Sequence, residues 1–424
     1  MSEKHPLKIG ILLQNAGKYG PEAGGGYSVY SRLISSIDKK NDWKDIEFVF
    51  IYITYSSEKD PGPGKKDLQK EIITIDLQKL DKGIHFFFRL YTRLDFIPYF
   101  KRLARKRLPM IRIINKNIVE AQLAKNKIDL IYFPIHDNPH YNYPYVLTNW
   151  DVGHLSMHSF PEVAMNGTFE ERDKHYQNHI RKAFGVFCES ETGRNELIHY
   201  THVNKERVFI TPAFPGAVIE TKVSDQEQAA ILKKFDLERK KFFFYPAQFW
   251  SHKNHYNLLC AFSELLKKHP GLKLVFTGSD KGNLAYIRGE IAGMGLEQSV
   301  RYLGFVSLPE VYTLYKNCIA LTMTTFLGPT NLPLLEAAAL GCPVIASDLA
   351  GHRELLEEYA AYVDPASPES ILQAMLKEIS KADSPGVPYV NPKFTMDACL
   401  SSLQDNFLKL KPYRRAFGFH FGQY

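Results

Sequence analysis

Short runs of continuous apolar residues, separated by stretches with helical spacing, set the pattern of this chain. Leu7–Leu13 (LKIGILL), Glu47–Thr54 (EFVFIYIT) and Ile72–Ile75 read as strands. So do Asp129–Pro134, Tyr145–Thr148, Phe184–Glu189 and Arg207–Thr211. After the Pro212-Ala-Phe-Pro215-Gly216 segment and a charged helical stretch, Asp225–Arg239, the alternation starts again. Its strands are expected at Phe242–Pro246, Lys273–Thr277, Val300–Leu303, Ile319–Thr322, Pro343–Ala346 and Ala361–Val363, with helices at Leu258–His269 and Leu308–Asn317. Runs apolar throughout, rather than alternating, fit strands buried on both faces, which implies parallel sheets covered by helices. Polar, Pro- and Gly-rich Ser56–Lys66 reads as a loop.

At 424 residues the chain exceeds one ordinary core, and two α/β units of about 200 residues each are expected. The divisions fall at 1–216, 217–395 and 396–424, the last holding a helix over Met396–Leu410 and an aromatic tail. The N-terminal sequence shows no signal-peptide pattern, and no run of 18 apolar residues occurs. Five widely spaced cysteines match neither a disulfide framework nor a zinc site, which favours reduced thiols and a cytoplasmic setting.

The net charge of +7 is concentrated. Between Arg89 and Lys116 nine basic residues stand against Asp95 alone, interleaved with aromatic and aliphatic side chains. Residues 85–116 fit either a segment lying on an anionic membrane surface or a pair of helices whose aromatic side is core. No nucleic-acid module signature accompanies the charge, so nucleic acid is not an expected partner.

Gly328–Ile345 (GPTNLPLLEAAALGCPVI) carries the sharpest chemistry. A polar loop with Thr330 and Asn331 runs into a helix starting near Leu332 and Pro333, and proline suits a first turn because its missing amide would be unpaired there. Gly341 can end that helix in a left-handed cap before a buried strand. Free amides and partial positive charge at the helix start favour phosphate, and Glu336, one turn in, suits a sugar hydroxyl. A ribose next to a diphosphate satisfies both.

This block resembles the donor-binding signature of retaining glycosyltransferases of family 4. That signature has two glutamates separated by seven residues, then a small-residue helix and a Gly-Cys-Pro-Val-Ile-like strand. Glu336 matches the second glutamate, whose family role is to hold the ribose; the first falls on Gly328. The resemblance implies a GT-B fold, two Rossmann-like domains facing across a cleft, with the C-terminal helix crossing back to the first. It also places a glycine loop (here Gly24, Gly25 and Gly26) over the donor diphosphate. An Arg and a Lys five residues apart follow the first strand of the second domain; Lys253 matches the Lys, and Gln248 stands at the Arg. A neutral amide in place of a charged planar fork is not a conservative change.

A Thr-x-His-Asp pattern of the family maps onto Thr148–Asp151, with Trp150 at the histidine, so Asp151 and the nearby His154 or His158 become candidates for the acceptor side. Gly278, Ser279 and Phe305 fall in loops that cradle the nucleotide in the family. The implied activity is transfer of a hexose-like sugar from a nucleotide diphosphate sugar to a hydroxyl of a glycan or lipid-linked saccharide. Lys253, Asp151 and His154 are the expected catalytic residues, and the nucleotide sugar is a co-substrate rather than a cofactor. With no Asp-x-Asp in the chain, metal independence is expected, helix amides and Lys253 offsetting leaving-group charge. Gly328 and Gln248 support the alternative of a chain that binds a partner or glycan without turnover. The implied place of action is the cytoplasm, or the inner face of a membrane if the basic segment binds there.

Overall fold

The structure is a computed structural model and describes residues 5–13, 25–54, 68–77, 116–135, 141–382 and 384–418. The loop before Gly25, the loop 56–66, nearly all of the basic stretch 85–116 and the last six residues lie outside the described residues, and with them the expectations placed there.

Two parallel sheets form the frame. The first has seven strands: β1 (Leu7–Leu13), β2 (Ile46–Thr54), β3 (Ile72–Asp76), β4 (Leu130–Phe133), β5 (Tyr145–Asn149), β6 (Gly185–Cys188) and β7 (Val208–Ile210). Their order is β3-β2-β1-β4-β5-β6-β7. The second has six: β8 (Phe242–Pro246), β9 (Lys273–Thr277), β10 (Val300–Tyr302), β11 (Leu321–Met323), β12 (Val344–Ser347) and β13 (Ala361–Val363), in the order β10-β9-β8-β11-β12-β13. Each sheet thus winds outward from its first strand, turns back and winds the other way, which is the Rossmann arrangement. Among the described residues every strand pairing is parallel, for example Leu7 opposite Ile46 and Phe242 opposite Lys273. All strand tips of one sheet therefore deliver their following loops to the same edge.

The strands lie within a residue or two of the sequence pattern, and the shifts have local causes. Pro343 has no N–H for the ladder, so β12 begins at Val344. The helix expected at Leu258–His269 starts three residues earlier, at His255. Asn254, in the left-handed region at φ 58°, turns the chain there. It is held by its side-chain amide, which donates to Thr324 O at 2.8 Å and Pro365 O at 2.7 Å. His255 then stacks on Phe249 with ring centroids 4.3 Å apart, deep in the second core. Gly341 has φ 74° after the helix Leu332–Ala339, the left-handed stop its sequence position suggested.

The last helix, Met396–Arg415, crosses back to the first sheet. Cys399, Leu400, Leu403, Phe407 and Leu410, at three- and four-residue spacing, form one buried stripe. Phe407 meets Tyr132 at 5.5 Å, Phe187 at 5.2 Å and Phe48 at 5.8 Å, ring to ring. Asn406 donates to Ile210 O at 2.7 Å, tying the helix to β7. Among the described residues no helix is long and apolar enough to cross a membrane, and no group of three His, Cys, Asp or Glu is placed to hold a metal. All five cysteines are free.

Candidate active site in the inter-sheet cleft

A cleft of about 510 Å³ opens between the two sheets, and almost every group lining it follows the carboxyl end of a strand. Asp151 follows β5 and Glu189 follows β6; Gln248 and Lys253 follow β8; Gly328–Pro333 follow β11. β8 and β11 are the neighbours at which the second sheet reverses direction, where open α/β sheets bind ligands.

On the second-unit wall, the chain leaves β8 through Gln248 and Trp250, whose indole donates to Gln248 Oε1 at 3.0 Å. A one-turn 3₁₀ helix, Ser251–Lys253, follows. Tyr245 OH donates to Lys253 O at 2.6 Å, fixing the backbone under the lysine. The ammonium donates to Asn331 Oδ1 at 2.8 Å. Burial brings Lys253 down to about 8, a shift that Asp151 and Glu162 partly oppose. Gly278 supports this turn from behind. At φ 128° a β-carbon there would lie 2.5 Å from Ala247 O, so only glycine lets the two strand exits pack.

The loop Leu327–Asn331 leads into the helix Leu332–Ala339, with Pro333 in its first turn. Gly328 has its own steric reason: a β-carbon there would sit 1.8 Å from Asn331 Nδ2. Gly351 meets the same loop from the other side, where a β-carbon would fall 2.4 Å from Pro329 O. Glu336 is one turn into the helix but does not line the cavity. Its carboxylate accepts from Tyr315 OH at 2.9 Å. Burial raises its pKa, against the Tyr315 hydroxyl, the Gly216 amide and Arg32, which favour the charged form.

The first-unit wall is acidic. Asp151 is ion-paired with Arg172 and accepts from Gly153 N at 2.7 Å. Glu162 reaches across the cleft to accept from His252 N at 2.8 Å, and its Oε1 is 2.6 Å from His252 Nδ1. Burial alone would raise Glu162, but these hydrogen bonds prevail and hold it below the usual carboxylate range. Burial likewise keeps His252 below its ordinary value, more strongly than Glu162 lifts it. Glu189 Oε2 accepts from Thr330 Oγ1 at 2.7 Å, again across the cleft. Burial pushes Glu189 up to about 7; the Thr330 hydrogen bond opposes this and the Asp151 charge adds to it. Beside it Ser190 Oγ donates to Pro329 O at 3.2 Å, and Glu354 accepts from Glu191 N and Thr192 N at 2.7 and 2.8 Å. These contacts clamp the start of helix Glu191–Thr201 onto the loop 328–331 and onto the helix Ala350–Leu356.

The cleft brings together Asp151, Gln248, Lys253, Thr330, Asn331 and Leu332 from the sequence expectations. It does not bring in His154, which is buried between Phe169 and Tyr176, 5.5 and 4.9 Å ring to ring, behind the wall. Gly153 and His154 are the buried residues of the short helix Gly153–Ser156, and His158 is exposed. Gly278, Ser279 and the 65 % exposed Phe305 lie outside the cavity lining. Gly25 and Gly26 open the helix Gly25–Lys39. Glu162, Arg172, Glu189 and the indole of Trp250 line the cleft without having been assigned a role from sequence.

The sequence model of the family described as "Glycosyl transferases group 1" matches residues 207–385. A putative glycosyltransferase, EpsD of Bacillus subtilis, is 31 % identical over 39 % of this chain and 40 % of its own length. O-antigen chain mannosyltransferase B of Escherichia coli is 22 % identical over 53 % of this chain and 59 % of its own. The chain thus spans between about two fifths and three fifths of these two relatives. Two solved structures cover nearly everything. Anabaena HepE, crystallised with UDP and glucose, superposes with a TM-score of 0.61 at 14 % identity, over 95 % of this chain and 99 % of that one. Thermosynechococcus elongatus sucrose-phosphate synthase superposes with a TM-score of 0.63 at 17 % identity, over 96 % and 99 %. Two facing Rossmann-like units with a returning helix are the GT-B fold, and within it residues 207–385 match the sequence model of the group 1 glycosyl transferases.

Proposed function

We propose that this chain is a metal-independent, retaining glycosyltransferase. It moves a hexose-like sugar from a nucleotide diphosphate sugar to a hydroxyl of a glycan or lipid-linked saccharide. The observation that carries the reading is the polarity of the cleft: Lys253 and a helix start on one wall face Asp151, Glu162 and Glu189 on the other. A diphosphate is attracted to the first wall and repelled by the second, whereas neutral sugar hydroxyls hydrogen-bond readily to carboxylates. The ligand that matches both carries its phosphates at one end and a sugar at the other.

In this reading Lys253 and the amides of the loop 328–332 stabilise charge building on the departing diphosphate. The bond between the anomeric carbon and the phosphate oxygen breaks as the acceptor oxygen bonds to the same face. The acceptor proton passes to the departing phosphate. Asp151, held by Arg172, orients the acceptor; Gln248 and Thr330 contact the donor; Glu336 takes the ribose. Gly25, Gly26, Gly278, Ser279 and Phe305 complete the nucleotide's surroundings. The names borne by EpsD and the O-antigen chain mannosyltransferase agree with a role in transferring sugars.

The test is incubation with a panel of nucleotide diphosphate sugars, with and without a chelator, following donor cleavage and the configuration of any product by NMR. Chelator-insensitive cleavage of one donor with retention is expected. Nucleotide binding without cleavage of any donor would transfer the reading to a binding protein, and an inverted product would remove the mechanism.

A further inference from the structure

Behind Lys253 lies a hydrogen-bond chain whose polarity is fixed at every step. His352 is fully buried on the helix Ala350–Leu356. Its Nδ1 is 2.9 Å from Ser347 O. A carbonyl only accepts, so Nδ1 carries the hydrogen and Nε2 is the bare acceptor. Nε2 is 2.9 Å from Asn331 Nδ2, which must donate to it. The second hydrogen of that amide is directed to Leu327 O at 3.3 Å. Asn331 Oδ1 is thereby turned to the cleft, where it accepts from the Lys253 ammonium at 2.8 Å. Flipping the amide would set oxygen against the bare Nε2 and NH₂ against an ammonium, so both ends enforce one orientation. Gly328 belongs to the same device, because a β-carbon there would lie 1.8 Å from Asn331 Nδ2 and 3.3 Å from His352 Nε2.

We propose that His352 is a positioning residue for the transfer reaction, acting through Asn331 to aim the Lys253 ammonium into the cleft, and that glycine at 328 is required to leave the relay its space. The proposal rests on the glycosyltransferase reading for its kinetic consequence, but the relay itself does not. A neutral amide, rather than a carboxylate, is the lysine's direct partner, so the ammonium keeps its charge for an anionic ligand. The aspartate, glutamate and histidine groups around it are Asp151, Glu162 and Glu189 from the first unit and His252, His255 and His352 from the second, with Arg172 behind Asp151. Burial holds His352 down to about 4, which agrees with a neutral imidazole whose Nε2 is a bare acceptor.

The experiment compares H352L, H352Q, N331D and G328A with the unmodified protein. It measures donor cleavage and the pH dependence of Lys253 labelling by an amine-reactive reagent, read by mass spectrometry, with thermal unfolding as a check on folding. H352L and G328A are expected to lose about 10- to 100-fold in kcat with a smaller change in KM, the scale on which orienting partners act. H352Q restores most of it, since a carboxamide can donate to Ser347 O and accept from Asn331 Nδ2. N331D puts a charge on the lysine and moves its half-labelling pH upward by more than one unit. Folded H352L and G328A proteins with kcat within threefold of the unmodified protein, or no rescue by H352Q, overturn the proposal, as does an unmoved labelling profile in N331D. If the unmodified protein cleaves no donor, the enzymatic reading falls, and the labelling profiles still decide whether the relay sets the lysine.

Discussion

The two walls of the cleft are built on opposite principles. On the second-unit wall one contiguous loop and helix start, together with the turn after β8, hold a single cation by neutral groups: Tyr245, Asn331 and His352. On the first-unit wall three carboxylates arrive from two connections, Asp151 and Glu162 from the one after β5 and Glu189 from the one after β6, each already engaged: Asp151 with Arg172, Glu162 with His252, Glu189 with Thr330. Two of those three bonds cross to the other unit. The contrast teaches that the cationic wall is preorganised by its own unit, whereas the acidic wall acquires its geometry only when the units meet.

The largest expected effect falls on the cationic wall. Lys253→Ala should lower turnover by about 10²- to 10³-fold, the scale of one preorganised electrostatic contact. A variant with unchanged turnover and a raised KM would make the lysine a binding group alone and erase the contrast between the walls.

A smaller effect tests where that wall ends. Glu336→Ala should weaken nucleotide diphosphate binding by about 1–3 kcal/mol, as loss of hydrogen bonds to a charged group does. Calorimetry showing unchanged affinity with a lowered unfolding temperature would instead make Glu336 an anchor for the Tyr315 hydroxyl and the Gly216 amide.

The smallest effect is a titration. With Lys253 brought down to about 8 by burial, nucleotide diphosphate affinity should be level below that pH and fall as pH rises through it. The ammonium is the form that attracts the ligand, so its loss weakens binding. Stability runs the other way. The folded value lies below the unfolded one, so between about 8 and the ordinary lysine value the folded chain binds fewer protons, and this group's contribution to stability rises with pH. Affinity that falls while the unfolding temperature holds would therefore identify the lysine; a fall in both would point to general unfolding.

How legible each wall was in the sequence follows the same division. The strands announced themselves because parallel sheets buried on both faces demand unbroken apolar runs. The cationic wall was legible because Thr330, Asn331 and Leu332 sit in one stretch and Lys253 lies in the loop that follows a strand. Glu162 and Glu189 were not, since Glu162 falls in an irregular stretch without a pattern of its own and Glu189 reads as the last residue of the strand run Phe184–Glu189. Only the parallel order of β5 and β6 and the approach of the second unit bring them to Lys253. Gly328 was legible as a departure but not as a requirement, because the atom that excludes a side chain belongs to Asn331. His154 had the composition of a site residue, and nothing local distinguished it from a core histidine stacked on Tyr176.

The returning helix Met396–Arg415 has a consequence for biosynthesis. The face of the first sheet formed by Phe48, Tyr132 and Phe187 is covered by Phe407, almost three hundred residues later than Tyr132. On the ribosome the first unit therefore emerges with an aromatic face that stays open until the whole second unit has been made. At about 5–20 residues per second that wait lasts tens of seconds, during which the nascent first unit presents a surface suited to a chaperone.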